Sequence, residues 1–309
     1  MRYVLGVKRP QQIKCRHCHE NIPEHVSDCP VCGLDVGFPN VRAAQTPTER
    51  RALAARYRKA HRDAIQRGCE TKLNRFEKTV RRSKAVLCRS LEIVSRLLSS
   101  DTELYATFHQ QVRAHIRIPK NSEFDRARLA VDATFFPYYY DEIRFAALSV
   151  DGRGLTGYGP CSIVLKDSMI AARASVFEEN TLIFCRRHGT VVGSPPTPGY
   201  RAAWRERHRV AAAKLHLQLN AQTKQKDFSS ILLRPGSRME DDEFIEVHIY
   251  GSLHRKAIER VVVHTPELDE GYNPKPNESQ KRELKDNKIL VKRLRRMLHG
   301  VGAALETYS

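Results

Sequence analysis

Four cysteines set the first constraint on how this chain can fold. Cys15 and Cys18 stand in CRHC, Cys29 and Cys32 in CPVCG, with ten residues between the pairs. Each C-x2-C turn aims two thiolates at one point, and two such turns complete a tetrahedral set. Gly33 follows the second pair, where a tight turn favours a residue without a Cβ. His17, His19 and His25 are rival ligands that four cysteines at this spacing make unnecessary. A segment running 13–36 is too short to bury a core, so metal binding supplies its folding energy. The reading is a structural zinc ribbon with no open position for catalysis. Cys69, Cys88, Cys161 and Cys185 stand singly and read as small core residues.

The paired cysteines read as metal ligands rather than disulfides only in a reducing compartment. The N-terminal MRYVLGVKRPQQ lacks the apolar stretch of a secretory signal, and no run of about twenty apolar residues follows. The expectation is a cytoplasmic protein without a membrane partner. Its formal charge is +18, unevenly spread. Residues 1–100 carry 21 Lys/Arg against 9 Asp/Glu, residues 101–200 carry 11 of each, and residues 201–309 carry 21 against 15. Basic ends attract polyanions, of which nucleic acid is the commonest. A solvated surface or an acidic protein partner would leave the same charge pattern.

TPTE at 46–49 is a helix start: Thr46 caps, Pro47 suits the first helical position, and Glu49 can complete a capping box. Apolar positions then recur near helical spacing from Leu53 to Leu98, with Gly68 and Cys69 as a break or packing point. The segment 46–98 reads as one long basic helix or a helical hairpin. A second basic amphipathic helix is expected over 281–299, after the linker 273–279.

Between these helices the pattern changes to short strands: 104–109, 143–150, 161–166, 174–184, 243–251 and 260–264. In EFIEVHIYG (243–251), alternation places Ile245, Val247 and Ile249 on a core face. Phe244, Glu246, His248 and Tyr250 take the other face, which is either a wet sheet face or a site. The chain has no G-x-G-x-x-G, P-loop, H-E-x-x-H or G-x-S-x-G, so the chemistries those motifs serve lack their residues.

GYGPCSIVLKDSMIAARASVFEENTLIF (157–184), followed by DDEFIEVHIYGSL and IERVVV (241–263), resembles bacterial proteins of the ADP-ribosyltransferase fold. The similarity is greatest to a toxin-like branch, in which a YG-strand-LK segment, an R-x-S/T-F segment and a glutamate-bearing strand follow in this order. It covers roughly residues 104–264. The resemblance implies cleavage of the nicotinamide–ribose bond of NAD and transfer of ADP-ribose. It makes Glu246 the catalytic glutamate, His109 the first-strand histidine, Ser175 the middle-strand hydroxyl and Tyr158 a wall of the nicotinamide pocket. Arg113, His115 and Arg117 are rivals for the role of His109. Phe244, two residues before Glu246, replaces the Gln or Glu that arginine-directed members carry there.

The expected fold is α+β: an ADP-ribosyltransferase-like mixed β body with long basic helical extensions and a small zinc ribbon. The expected divisions are 1–40 (ribbon), 41–100 (basic helical segment), 101–270 (catalytic body) and 271–309 (linker and helix). The resemblance implies a toxin or phage-defence effector that modifies nucleic acid, RNA before DNA, and that has an antitoxin or chaperone partner. The rival expectation is a non-catalytic zinc-ribbon protein that binds nucleic acid on a degenerate scaffold.

Overall fold

A computed structural model describes residues 13–115, 123–191, 193–238, 241–264 and 278–308. The ribbon opens with a two-stranded hairpin, β1 (Ile13–Lys14) and β2 (Asn21–Ile22). Helix α1 (Pro39–Ala44) leaves it, and α2 (Pro47–Gln66) follows with Thr46 Oγ1 accepting from Glu49 N at 3.3 Å. Then come α3 (Glu70–Val80), β3 (Lys84–Arg89), α4 (Leu91–Leu98), α5 (Phe108–Arg113) and α6 (Glu123–Phe135). The middle of the chain forms β4 (Ile143–Ser149), β5 (Cys161–Leu165), α7 (Asp167–Ile170), β6 (Ala174–Phe177) and α8 (Thr181–His188). The remainder is β7 (Arg201–Ala203), α9 (Arg207–Leu215), α10 (Phe228–Leu232), β8 (Glu246–Tyr250), β9 (Ile258–His264), α11 (Glu278–Gly300) and β10 (Ala304–Tyr308).

Eight strands form one mixed sheet in the order β10-β9-β5-β3-β4-β8-β6-β7. Its pairs are antiparallel except β10 with β9. The pleat sorts residues between two faces. Leu87, Ile163, Leu148, Val247 and Val176 point into the main core, which α2, α3, α4, α9, α10 and α11 complete. Val86, Ala147, Glu246 and Phe177 are register partners in a row across β3, β4, β8 and β6 on the opposite face. That face is covered by α6 and α8 through a second cluster that includes Phe135, Phe136, Leu182 and Phe184.

Alternation along β8 is as expected: Ile245, Val247 and Ile249 lie in the main core. The helix expected at 281–299 is α11, whose Leu294 and Leu298 are fully buried. The four single cysteines are all buried. The mixed architecture with one large sheet and many helices agrees with an α+β chain.

Several local readings change. The helical reading of 46–98 holds to residue 80, with its break at Gly68–Cys69, and fails at 84–89. That stretch is β3, flanked by β4 and β5 in the middle of the sheet. Ala85, Val86, Leu87 and Cys88 are all buried, and an apolar run with both faces covered carries no alternation to mark it as a strand. The basic helical segment therefore contains a central strand. Residues 104–109 are not a strand. Thr107 and Gln110 form a reciprocal capping box that starts α5, which puts His109 on a helix. The strand expected at 174–184 ends at Phe177, because Asn180 Oδ1 accepts from Leu182 N and Ile183 N and starts α8. Strands β7 and β10 have no counterpart in the sequence reading. No helix among the described residues is long and apolar enough to cross a membrane. Most of the linker 273–279 lies outside the described residues.

Because β3 is interior to the sheet, Leu87→Ala should cost about 2–5 kcal/mol of global stability. Denaturant unfolding followed by far-UV circular dichroism checks this. An unchanged midpoint would place 84–89 outside the folded body.

Candidate functional site

The four cysteines of the ribbon converge. Their Sγ atoms all lie within 4.8 Å of one another, with Cys15–Cys32 at 3.6 Å and Cys18–Cys29 at 3.5 Å. A disulfide would need about 2.05 Å. Tetrahedral Zn–S bonds of about 2.3 Å put sulfurs about 3.8 Å apart, so this set could hold a metal ion such as zinc. Local backbone builds the two turns. Cys15 N donates to Glu20 O, and Cys29 N donates to Leu34 O, each at 2.8 Å. Gly33 turns back with φ +70°. Backbone N–H groups lower the pKa of the Cys15 and Cys29 thiols, while burial and the neighbouring thiols push Cys18 and Cys32 up.

The ribbon is tied to the sheet through α1. Arg42 donates to the carbonyls of Val26 (2.7 Å), Glu24 (3.1 Å), Pro23 (3.2 Å) and Gly37. Two residues earlier, buried Asn40 Nδ2 donates to His248 O (2.9 Å), Arg173 O (3.1 Å) and Ser175 Oγ (3.2 Å). Ser175 therefore joins β6 to α1 and does not line the cavity described next.

A cavity of about 480 Å³ opens on the sheet face that carries Glu246. Three of the residues singled out in the sequence line it together: Glu246, His109 and Tyr158. Glu246 is 4% exposed, so its face is not a wet one. Its Oε2 accepts from Thr181 N at 3.3 Å and lies 2.9 Å from His248 Nε2; its Oε1 accepts from Asn180 Nδ2 at 3.3 Å. Facing a carboxylate, Nε2 is the protonated nitrogen of His248. The His248 ring packs edge-on against Phe136 and Phe145, with Phe177 stacked at 6.0 Å. The carboxylate thus sits at the first turn of α8, where backbone N–H groups and the helix dipole favour negative charge.

Tyr158 reaches the cavity through a close backbone approach. Gly159 packs on Arg89, and a Cβ there would lie 2.4 Å from the Arg89 carbonyl carbon. Only glycine fits, at φ +135°. This explains the YG pair and brings Tyr158 beside the end of β3.

Several lining residues escaped the sequence reading. Arg89, at the end of β3, donates to Cys88 O at 2.5 Å and lies over the Tyr105 ring. Asp132 on α6 is buried; its Oδ2 lies 2.7 Å from His109 Nε2 and accepts from Arg128 Nε at 3.3 Å. Asn180 and Thr181 complete the wall beside Glu246. Asn180 followed by an apolar stretch is a helix-start signal that could have been read; the Asp132–His109 pairing spans 23 residues and leaves no local mark. Of the rivals to His109, Arg113 is exposed and paired with Asp141 at 2.6 Å, His115 is exposed, and Arg117 lies outside the described residues.

Chelation should release one equivalent of metal from purified protein, and Cys29→Ser should abolish binding. The sheet should still unfold cooperatively, at a lower midpoint because α1 loses its support from the ribbon. Elemental analysis checks the stoichiometry, and protein free of bound metal would refute the site.

Searches against protein-family models and against curated proteins return no match to this chain.

Proposed function

We propose that the chain is an NAD-dependent ADP-ribosyltransferase that acts on nucleic acid, with RNA favoured as acceptor. One observation carries the reading. A buried carboxylate, Glu246, is fixed by three donors at the wall of a cavity that also presents Arg89, His109, Arg128 and Tyr158. The size falls within the range of small-ligand pockets, about 300–1,000 Å³. Departure of nicotinamide builds positive charge on the ribose. A preorganised carboxylate steadies that charge without reorganising during the reaction. Arg89 and Arg128 offer guanidinium groups to the pyrophosphate, and Tyr158 offers an aromatic face to nicotinamide. The toxin or defence setting, with an antitoxin-like partner, comes from the sequence resemblance.

The nucleic-acid part of the reading rests on exposed cations. Arg50, Arg51, Arg58, Lys59 and Arg62 stand exposed along α2, and Lys292, Arg293, Arg295 and Arg296 along α11. Both helices contribute to the core on the sheet face opposite Glu246. Gripping the acceptor and cleaving NAD are therefore separable by mutation.

Incubation with labelled NAD and total cellular RNA tests the chemistry. Glu246→Gln keeps the volume but turns one acceptor oxygen into an NH2 that faces a donor, so the protein should still unfold cooperatively at a lower midpoint, while NAD turnover of the folded variant should fall by about 10²–10³. Turnover at the parent rate would remove the enzyme assignment. Nucleic-acid affinity should fall steeply as salt rises, with little sequence preference. Arg58→Glu with Arg62→Glu should weaken binding and leave acceptor-free NAD turnover unchanged. An affinity insensitive to salt would assign these helices to a protein partner.

A further inference from the structure

The cavity holds a second acid–base group besides Glu246. His109 stands in the first turn of α5 and is 8% exposed. Asp132 Oδ2 holds its Nε2 at 2.7 Å, and Arg128, one turn before Asp132 on α6, donates Nε to the same oxygen at 3.3 Å. Tyr140 and Phe108 pack edge-on to the imidazole, at 4.9 and 5.4 Å, and fix its plane. A carboxylate only accepts, so Nε2 carries the proton in the neutral ring and Nδ1 carries the lone pair. No protein group among the described residues bonds Nδ1. His109, Asp132 and Arg128 all line the cavity.

Glu246 is differently placed. Both of its oxygens are already taken by donors, Oε2 by two and Oε1 by one. Its oxygens are committed to fixed donors, an arrangement suited to facing a developing positive charge. A transfer to a hydroxyl needs a proton acceptor as well, and the two environments divide these functions.

We infer that His109 is the catalytic base that takes the proton from the nucleophile, with Asp132 and Arg128 as positioning residues. This rests on the transferase reading. The bond from ribose C1′ to the nicotinamide nitrogen breaks, and its electron pair leaves with neutral nicotinamide. A lone pair of the acceptor hydroxyl, or of water, forms the new C1′–O bond. The proton of that O–H passes to His109 Nδ1, and the resulting imidazolium lies against the Asp132 carboxylate. His109 thus serves the acceptor rather than NAD, which departs from the role the sequence resemblance gives it.

The chemistry offers a built-in control. Water must lose a proton as it captures the ribose, whereas the ring nitrogen of free nicotinamide has none to lose. Hydrolysis of NAD to ADP-ribose therefore needs the base, and incorporation of labelled nicotinamide into NAD does not. In His109→Gln, hydrolysis should fall by about 10² or more, with nicotinamide incorporation unchanged. Asp132→Asn should lower hydrolysis less and also spare incorporation. A parallel loss of both reactions would make His109 an NAD-binding group, and an unaltered hydrolysis rate would make it structural. Should His109→Gln fail to fold, Asp132→Asn decides by the same ratio. A parent protein that neither hydrolyses NAD nor incorporates nicotinamide overturns the transferase reading, and this inference with it. An active parent whose His109 variant keeps its hydrolysis rate overturns the base alone.

Discussion

A carboxylate buried within a β-sheet is the interaction around which this structure is arranged. Left without partners, Glu246 would cost several kcal/mol. Its donors come from two directions, His248 on its own strand and the start of α8. Asn180 does two things at once. Its Oδ1 caps the first turn of α8, and its Nδ2 donates to Glu246. The helix that covers this sheet face is therefore aligned by the charge beneath it. Phe177 and Phe184 then pack between helix and sheet with ring centroids 4.8 Å apart. The cavity lies between this cover and the loop that Gly159 presses onto Arg89.

The ribbon joins the same arrangement through six residues. Arg42 collects carbonyls from the ribbon loops, and Asn40 donates to the carbonyl of His248, two residues from Glu246. A module too small for a core of its own is thereby fixed to the strand that carries the buried charge. Its four cysteines precede α1 in sequence, and α1 itself makes the contact with the sheet through Asn40. Distortion of the ribbon has a short mechanical path to β8.

What the sequence disclosed followed from how local each constraint is. The four cysteines lie within eighteen residues at a spacing that suits a single ion, so their convergence was legible. Strand β8 was legible because one of its faces is aliphatic and the other is not. Strand β3 was hidden because it is apolar on both faces, and Val80, Leu87, Leu91 and Val94 continue a helical period straight through it. His109 was recognised as a residue of interest and put on the wrong element, since the capping box at Thr107 and Gln110 outweighs the β-like LYATF before it. Asp132, Arg128 and Arg89 gave no signal at all. Their meaning is created by tertiary pairing, in which α6 returns over the sheet 23 residues after His109.

The charge on the molecule acts on two scales, and the pleat separates them. Exposed cations of α2 and α11 belong to helices on the aliphatic face, where they contribute to a long-range positive field. Arg89 and Arg128 belong to the cavity on the other face, where partial enclosure lowers the local dielectric and strengthens each pairing. The first set is screened by salt over about 10 Å at 0.1 M, and the second much less. A polyanion drawn to the helices must pass a sheet edge before any of it reaches Glu246. The cavity, by contrast, gathers cations, an aromatic wall and a carboxylate in one place. On the proposed function, recruitment of a large anion and chemistry on a small one would fall on opposite sides of a single sheet.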